Sequence, residues 1–276
     1  MTADGLAELS EEYYESERLL QELLAEYPKL LAGEQINSES PRRWVLVRRE
    51  SAVPDSAAGG GRWSLDHLFL DQDGVPTLVE VKRSTDTRVR REVVGQMLDY
   101  AANAVAYWPI EKLISEFEET CAEVGVDGVE AIAQLVDGEV TVDEYWNLVK
   151  TNLQAGRIRM IFVADVVPKE LQRIVEFLNE QLDPAEVFAV EVRQFTGEAG
   201  IALVPRLIGG TVESQRRKAT AGLRSSRRWT ESEFVAFVSS ADPRAGDTVR
   251  TVLDWVKTHG LVTRWGGCVD AGQADA

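Results

Sequence analysis

Residues 63–83 read WSLDHLFLDQDGVPTLVEVKR, two strand-like runs separated by Asp-Gln-Asp-Gly. Turn residues between two β-rich runs predict an antiparallel hairpin. The second run is apolar except for Glu80 and Lys82. Strand side chains alternate, so Glu80 and Lys82 share one face while Val79 and Val81 share the other. With a loop over 71–75, the pairing sets Leu70 opposite Pro76 and Asp66 opposite Glu80. Opposed residues point to the same side, which brings two carboxylates within about 5.5 Å at Cβ. Both stay ionised comfortably only with a cation between them. Oxygen ligation of this kind suits Mg²⁺ or Mn²⁺, which take one or two protein carboxylates and keep waters. A one-residue slip in register would undo the arrangement.

Around the hairpin the pattern alternates between helix and strand. Leu19, Leu20, Leu23, Leu24 and Tyr27 fall at helical spacing, and Pro28 ends that helix. RWVLVRRE at 43–50 reads as a strand, and SAVPDSAAGGG at 51–61 as a flexible surface loop. Residues 88–106 return to a helical period, and the acidic stretch 110–153 reads as a mostly helical insertion beside the core. RIRMIFVA at 157–164 is almost continuously apolar, as in a strand covered on both faces. A helix follows over 168–182 with Pro168 at its start, then strands VFAVEVRQF and IALVP. This order predicts an α/β domain, a mixed sheet flanked by helices, over residues 1–208. Residues 209–228, rich in Gly, Ser and Arg, read as a basic linker. A small helical region at 229–276 completes the chain, with a possible capping box from Thr230 to Glu233 and Gly260 stopping its second helix.

Charge is distributed unevenly. The formal net charge of −16 argues against a uniformly basic nucleic-acid coat. Residues 1–40 hold ten acids against two bases, and 110–147 hold eleven against one. Residues 82–92 reverse this with five bases against two acids, as do residues 206–229 with seven against one. These blocks read either as ordinary solvated faces or as a basic cleft in an acidic body. The arginines of 206–228 are likewise either a solvated linker or a phosphate-binding arm. Cys121 and Cys268 are far apart, so neither a disulfide framework nor a zinc knuckle is expected. The N-terminal segment is acidic and no run of 18 apolar residues occurs, so the expectation is a cytoplasmic protein without a membrane partner.

Asp66, Glu80-Val81-Lys82 on the next strand, and a following helix with Gln96 and Tyr100 resemble the PD-(D/E)XK nuclease superfamily. Within it the chain is most similar to bacterial NucS-like and RecB-like relatives. The motif covers residues 10–105, and the order of elements extends the resemblance to about 205. The resemblance implies a restriction-endonuclease-like fold with Asp66 and Glu80 as metal ligands and the Val81 carbonyl as a third. Lys82 would orient the attacking water or neutralise developing charge. Gln96 and Tyr100 match the superfamily's Gln-x-x-x-Tyr element and, four apart, project from one helix face. An acid on the first helix often completes such sites: Glu17, with Glu22 in reserve. Leu65 stands where the motif's proline is named, and the acidic total sits poorly with tight nonspecific DNA binding.

The expected activity is Mg²⁺- or Mn²⁺-dependent hydrolysis of nucleic-acid phosphodiesters, DNA rather than RNA, in repair, restriction or defence. Arg88, Arg90 and Arg91 open the Gln96 helix, where they could position phosphates. The alternative is a nucleic-acid-binding or assembly module on the same fold. A homodimer would suit a duplex, since one site cuts one strand, and the 110–147 segment could dock a protein. Plainer readings stand beside these. A lone Glu-x-Lys is usually a surface pair, Tyr100 could be a core aromatic, and either first-helix glutamate could be solvated. His67 must face away from Asp66 and reads as structural, and His259 as a helix-end residue.

Overall fold

The computed structural model describes residues 7–54, 61–84, 89–210, 231–241 and 243–258. Two compact units divide the chain, Met1–Thr211 and Val212–Ala276. In the first, the elements run β1 (Ser10–Glu12), α1 (Glu17–Glu26), a 3₁₀ turn (Pro28–Leu31), α2 (Gly33–Ile36), β2 (Trp44–Pro54), β3 (Gly61–Asp71) and β4 (Pro76–Lys82). There follow α3 (Val89–Tyr107), α4 (Ile110–Glu123), α5 (Gly128–Leu135), α6 (Val142–Gln154), β5 (Arg159–Ala164), α7 (Lys169–Gln181), β6 (Glu186–Gly197) and β7 (Gly200–Ile208). The seven strands form one mixed sheet in the order β1-β6-β5-β4-β3-β2, with β7 also paired to β6. β4, β5 and β6 are mutually parallel, while the remaining pairs are antiparallel.

The parallel strands explain the unbroken apolar run of β5, which is buried at every position because helices cover both faces. On one face, Leu20 and Leu24 of α1 join Leu30 and Leu31 over Phe69, Val79, Val81, Ile161 and Val190. On the other, Met97 and Tyr100 of α3, Phe117 of α4 and Val149 of α6 pack with Leu68, Leu70, Leu78 and Phe162. The acidic 110–153 segment is thus three helices whose apolar stripes build the core. Its charges occupy the outer faces, as amphipathic helices require.

Two other boundaries differ from the sequence expectation. The strand beginning at Trp44 continues to Pro54, so 51–54 is not loop: Ser51 and Val53 are buried and pair with β3. β1 has no apolar pattern at all, being Ser-Glu-Glu with every residue exposed. It exists because its backbone completes a ladder with Gln194–Thr196.

The hairpin turn is fixed by local chemistry. Asp71 Oδ1 accepts the N–H groups of Asp73 at 3.0 Å and Val75 at 2.9 Å. Gly74 takes φ +67°, and a Cβ there would meet Val149 N at 3.1 Å, so glycine serves both conformation and closeness. Asn152 of α6 donates to the Asp73 and Gly74 carbonyls, and Tyr145 to the Asp71 carbonyl. The other Asp71 oxygen receives the buried Arg159 at 2.9 Å, whose guanidinium also pairs with Glu186. This buried network lies at the turn end of β4, away from Glu80 and Lys82.

The second unit contributes two helices that pack on each other, α8 (Glu231–Ala241) and α9 (Pro243–Thr258). Thr230, His259, Gly260 and the basic residues of 211–230 lie outside the described residues.

Candidate functional site

The β3–β4 register runs from Leu70 opposite Pro76 to His67 opposite Val79. One further step sets Asp66 opposite Glu80, on the face that carries Lys82. Regular pairing ends there, and Asp66 Oδ2 takes over as acceptor for the Val81 N–H at 2.7 Å. A residue's N–H and C=O point to the same side of an extended strand. The Val81 carbonyl is therefore also turned toward β3.

Lys82 Nζ lies at the centre of three carboxylates: Glu80 Oε1 at 3.1 Å, Glu17 Oε1 at 3.2 Å and Asp66 Oδ2 at 3.9 Å. Glu17 opens α1, whose start is fixed by Ser16 accepting the Leu19 N–H at 3.1 Å. Glu22 turns away to Arg18 at 2.7 Å, so Glu17 is the first-helix acid in this cluster. Three acids against one lysine leave the cluster short of positive charge.

Burial and that deficit both show in the titration of the group. Burial, then the neighbouring Asp66, pushes the Glu80 carboxyl up to about 7, against the lowering pull of Lys82. Burial raises Asp66 too, although Lys82 and the Val81 N–H oppose it. For Lys82, burial favours the neutral amine, but Glu80, Asp66 and Glu17 outweigh it and hold the ammonium charged.

The residues fit a divalent cation. Glu80 Oε2 is buried and has no hydrogen-bond partner, which leaves one carboxylate oxygen of a 2 % exposed residue unspent. An ion held by Asp66, Glu80 and the Val81 carbonyl would satisfy it and supply the missing charge. Among the described residues, no three or more His, Cys, Asp or Glu side chains are grouped as a ready-made metal site. Mg²⁺ asks for fewer, one or two carboxylates.

From α3, Gln96 donates to the Tyr100 hydroxyl, and that hydroxyl donates to the Ser64 carbonyl of β3 at 3.1 Å. Burial raises the Tyr100 pKa, and the charges of Glu80 and Asp66 add to it. The Tyr100 hydroxyl therefore lies within electrostatic reach of Glu80 and Asp66. His67 faces the opposite core, stacked on Phe69 with Nε2 2.8 Å from the Gln21 carbonyl. Arg88 lies outside the described residues, as do the side chains of Arg90 and Arg91.

Two positioning groups were missed by sequence reasoning. The Gln21 side chain opposes the rise of the Asp66 pKa; its one signal is the four-residue spacing from Glu17, which places both on one helix face. Asp165 accepts from Ser84 N at 2.7 Å and Ser84 Oγ at 3.0 Å, holding the chain just after Lys82. Only the parallel pairing of Lys82 with Ala164 makes that contact foreseeable.

No family model, curated protein or solved structure matches the chain. No helix among the described residues is long and apolar enough to cross a membrane.

Proposed function

We propose that the protein is a metal-dependent nuclease of the PD-(D/E)XK type, hydrolysing phosphodiester bonds of DNA on a restriction-endonuclease-like sheet. The observation that carries this reading is the convergence of Asp66, Glu80 and Lys82 at the end of one hairpin, with a buried Glu80 oxygen left unpaired. Asp66 and Glu80, with the Val81 carbonyl, would hold Mg²⁺ or Mn²⁺. When bound, such an ion lowers the pKa of a water and offsets charge on the phosphate. Lys82, kept charged by its carboxylates, is placed to stabilise negative charge developing on the phosphate oxygens. Glu17 restrains the Lys82 ammonium, and Gln96 and Tyr100 would help to hold the reacting groups in position.

Glu80→Gln is the cleanest test because it preserves shape while removing the ligand charge. It should lower Mn²⁺-dependent cleavage of a DNA oligonucleotide by at least about a hundredfold without disturbing the circular dichroism spectrum. Lys82→Ala should do the same. Full cleavage by both variants would overturn the proposal.

A second reading has one observation in its favour: the Lys82 ammonium already occupies the centre of the carboxylate cluster. On that reading the fold is a nucleic-acid-binding or assembly module and the lysine is its structural counter-ion. Calorimetry with Mn²⁺ separates the two, since Asp66-dependent heat belongs to the enzyme alone.

A further inference from the structure

We infer that Arg193 and Arg206, held on the buried Glu191, form a second phosphate-binding point for the nucleic-acid strand that enters the Asp66–Glu80–Lys82 site. The inference rests on the nuclease reading above.

The sheet's register supplies the placement. Lys82 pairs with Ala164, Ala164 with Glu191, and Glu191 with Arg206. Register partners share a face, so Lys82, Glu191 and Arg206 stand in one lateral row. Three strand spacings separate Lys82 from Arg206, about 14 Å. The β5–α7 connection crosses between them, its Val167 N–H bound to Glu191 Oε2 at 3.0 Å.

Glu191 is only 2 % exposed, and its Oε1 accepts from Arg193 Nε at 2.8 Å and pairs with Arg206 at 3.2 Å. One buried carboxylate thus orients two guanidiniums. The arginine side chains are 39 % and 61 % exposed. Arg193 also meets Glu11 at 3.3 Å. That pair is exposed on both sides, hence weak and screened by salt, and a phosphate can displace it. A guanidinium pinned from behind binds phosphate with less ordering cost, and its planar fork suits two phosphate oxygens. In a chain of net charge −16, affinity for a polyanion has to come from such local points.

The experiment measures binding of a fluorescent 20-nucleotide DNA strand across a KCl series. It uses the full chain carrying Glu80→Gln to prevent cleavage, alone and combined with Arg193→Ala, Arg206→Ala or Arg206→Lys. Either alanine variant leaves one guanidinium on Glu191, and thermal melts confirm the fold. Each is expected to weaken low-salt binding about five- to tenfold and to reduce the salt slope by about one. Arg206→Lys should restore the slope but only part of the affinity. Unchanged affinity and slope in both alanine variants, in a protein that does bind and cut DNA, would overturn this inference alone. A parent chain that neither binds nor cuts DNA would overturn the nuclease reading, and this inference with it.

Discussion

Glu80 and His67 are buried on opposite faces of the same hairpin, and their titrations act on stability in opposite senses. Burial lifts the Glu80 carboxyl to about 7 from an ordinary 4.5. A raised folded pKa means the folded state holds the proton more tightly. Glu80 therefore supports the fold below pH 4.5 and loses that support as pH rises through about 7. Burial lowers His67 to about 4 from 6.5, so its support is present above 6.5 and fades as pH falls toward 4. The two slopes oppose one another in weakly acidic solution. Glu80→Gln removes the first and leaves the second. In metal-free buffer, the stability of Glu80→Gln relative to the parent should grow between pH 4.5 and 7, by on the order of 3 kcal/mol. Urea unfolding at several pH values measures this difference, and a constant offset would contradict the burial argument.

At the scale of elements, the hairpin owes its register to the far end, where Asp71 answers Arg159 and two turn N–H groups. Asp71→Ala leaves a fully buried guanidinium with only Glu186 as an acidic partner and should cost about 3–5 kcal/mol in urea unfolding. A loss under 1 kcal/mol would mean that the turn is held by α6 alone. This dependence also explains what the sequence could and could not disclose. The Leu70–Pro76 pairing was legible because Asp-Gln-Asp-Gly is local turn chemistry, and the Asp66–Glu80–Lys82 face followed from strand alternation. Glu17 ranked ahead of Glu22 on sequence, but not firmly, since both lie on an acid-rich helix and the difference between them rests on the Ser16 cap and the Arg18–Glu22 pair. Partners that lie on other strands or helices, such as Asp165 beside Ser84 and Arg159 beside Asp71, were hidden. Parallel register and long-range pairing are set by packing, and no local spacing encodes them.

At the scale of the whole molecule, all seven strands, both core layers and every described side chain of the candidate site belong to the unit Met1–Thr211. Residues 211–276 differ in character, with ten bases against eight acids in a chain whose total is −16. Their removal takes away net positive charge and none of the described side chains of the two cores. A chain ending at Gly210 is expected to unfold in a single cooperative transition, with a midpoint close to that of the full chain, because every described side chain of the two cores is retained. Its binding of DNA at low salt should weaken and show a smaller salt slope, since residues 216–228 carry six of the removed bases. Thermal melts and a salt-dependent binding series test the two statements separately. A broad, uncooperative melt would show that the sheet depends on residues beyond Gly210. An unchanged salt slope would assign the basic stretch to a solvated connector that touches no phosphate.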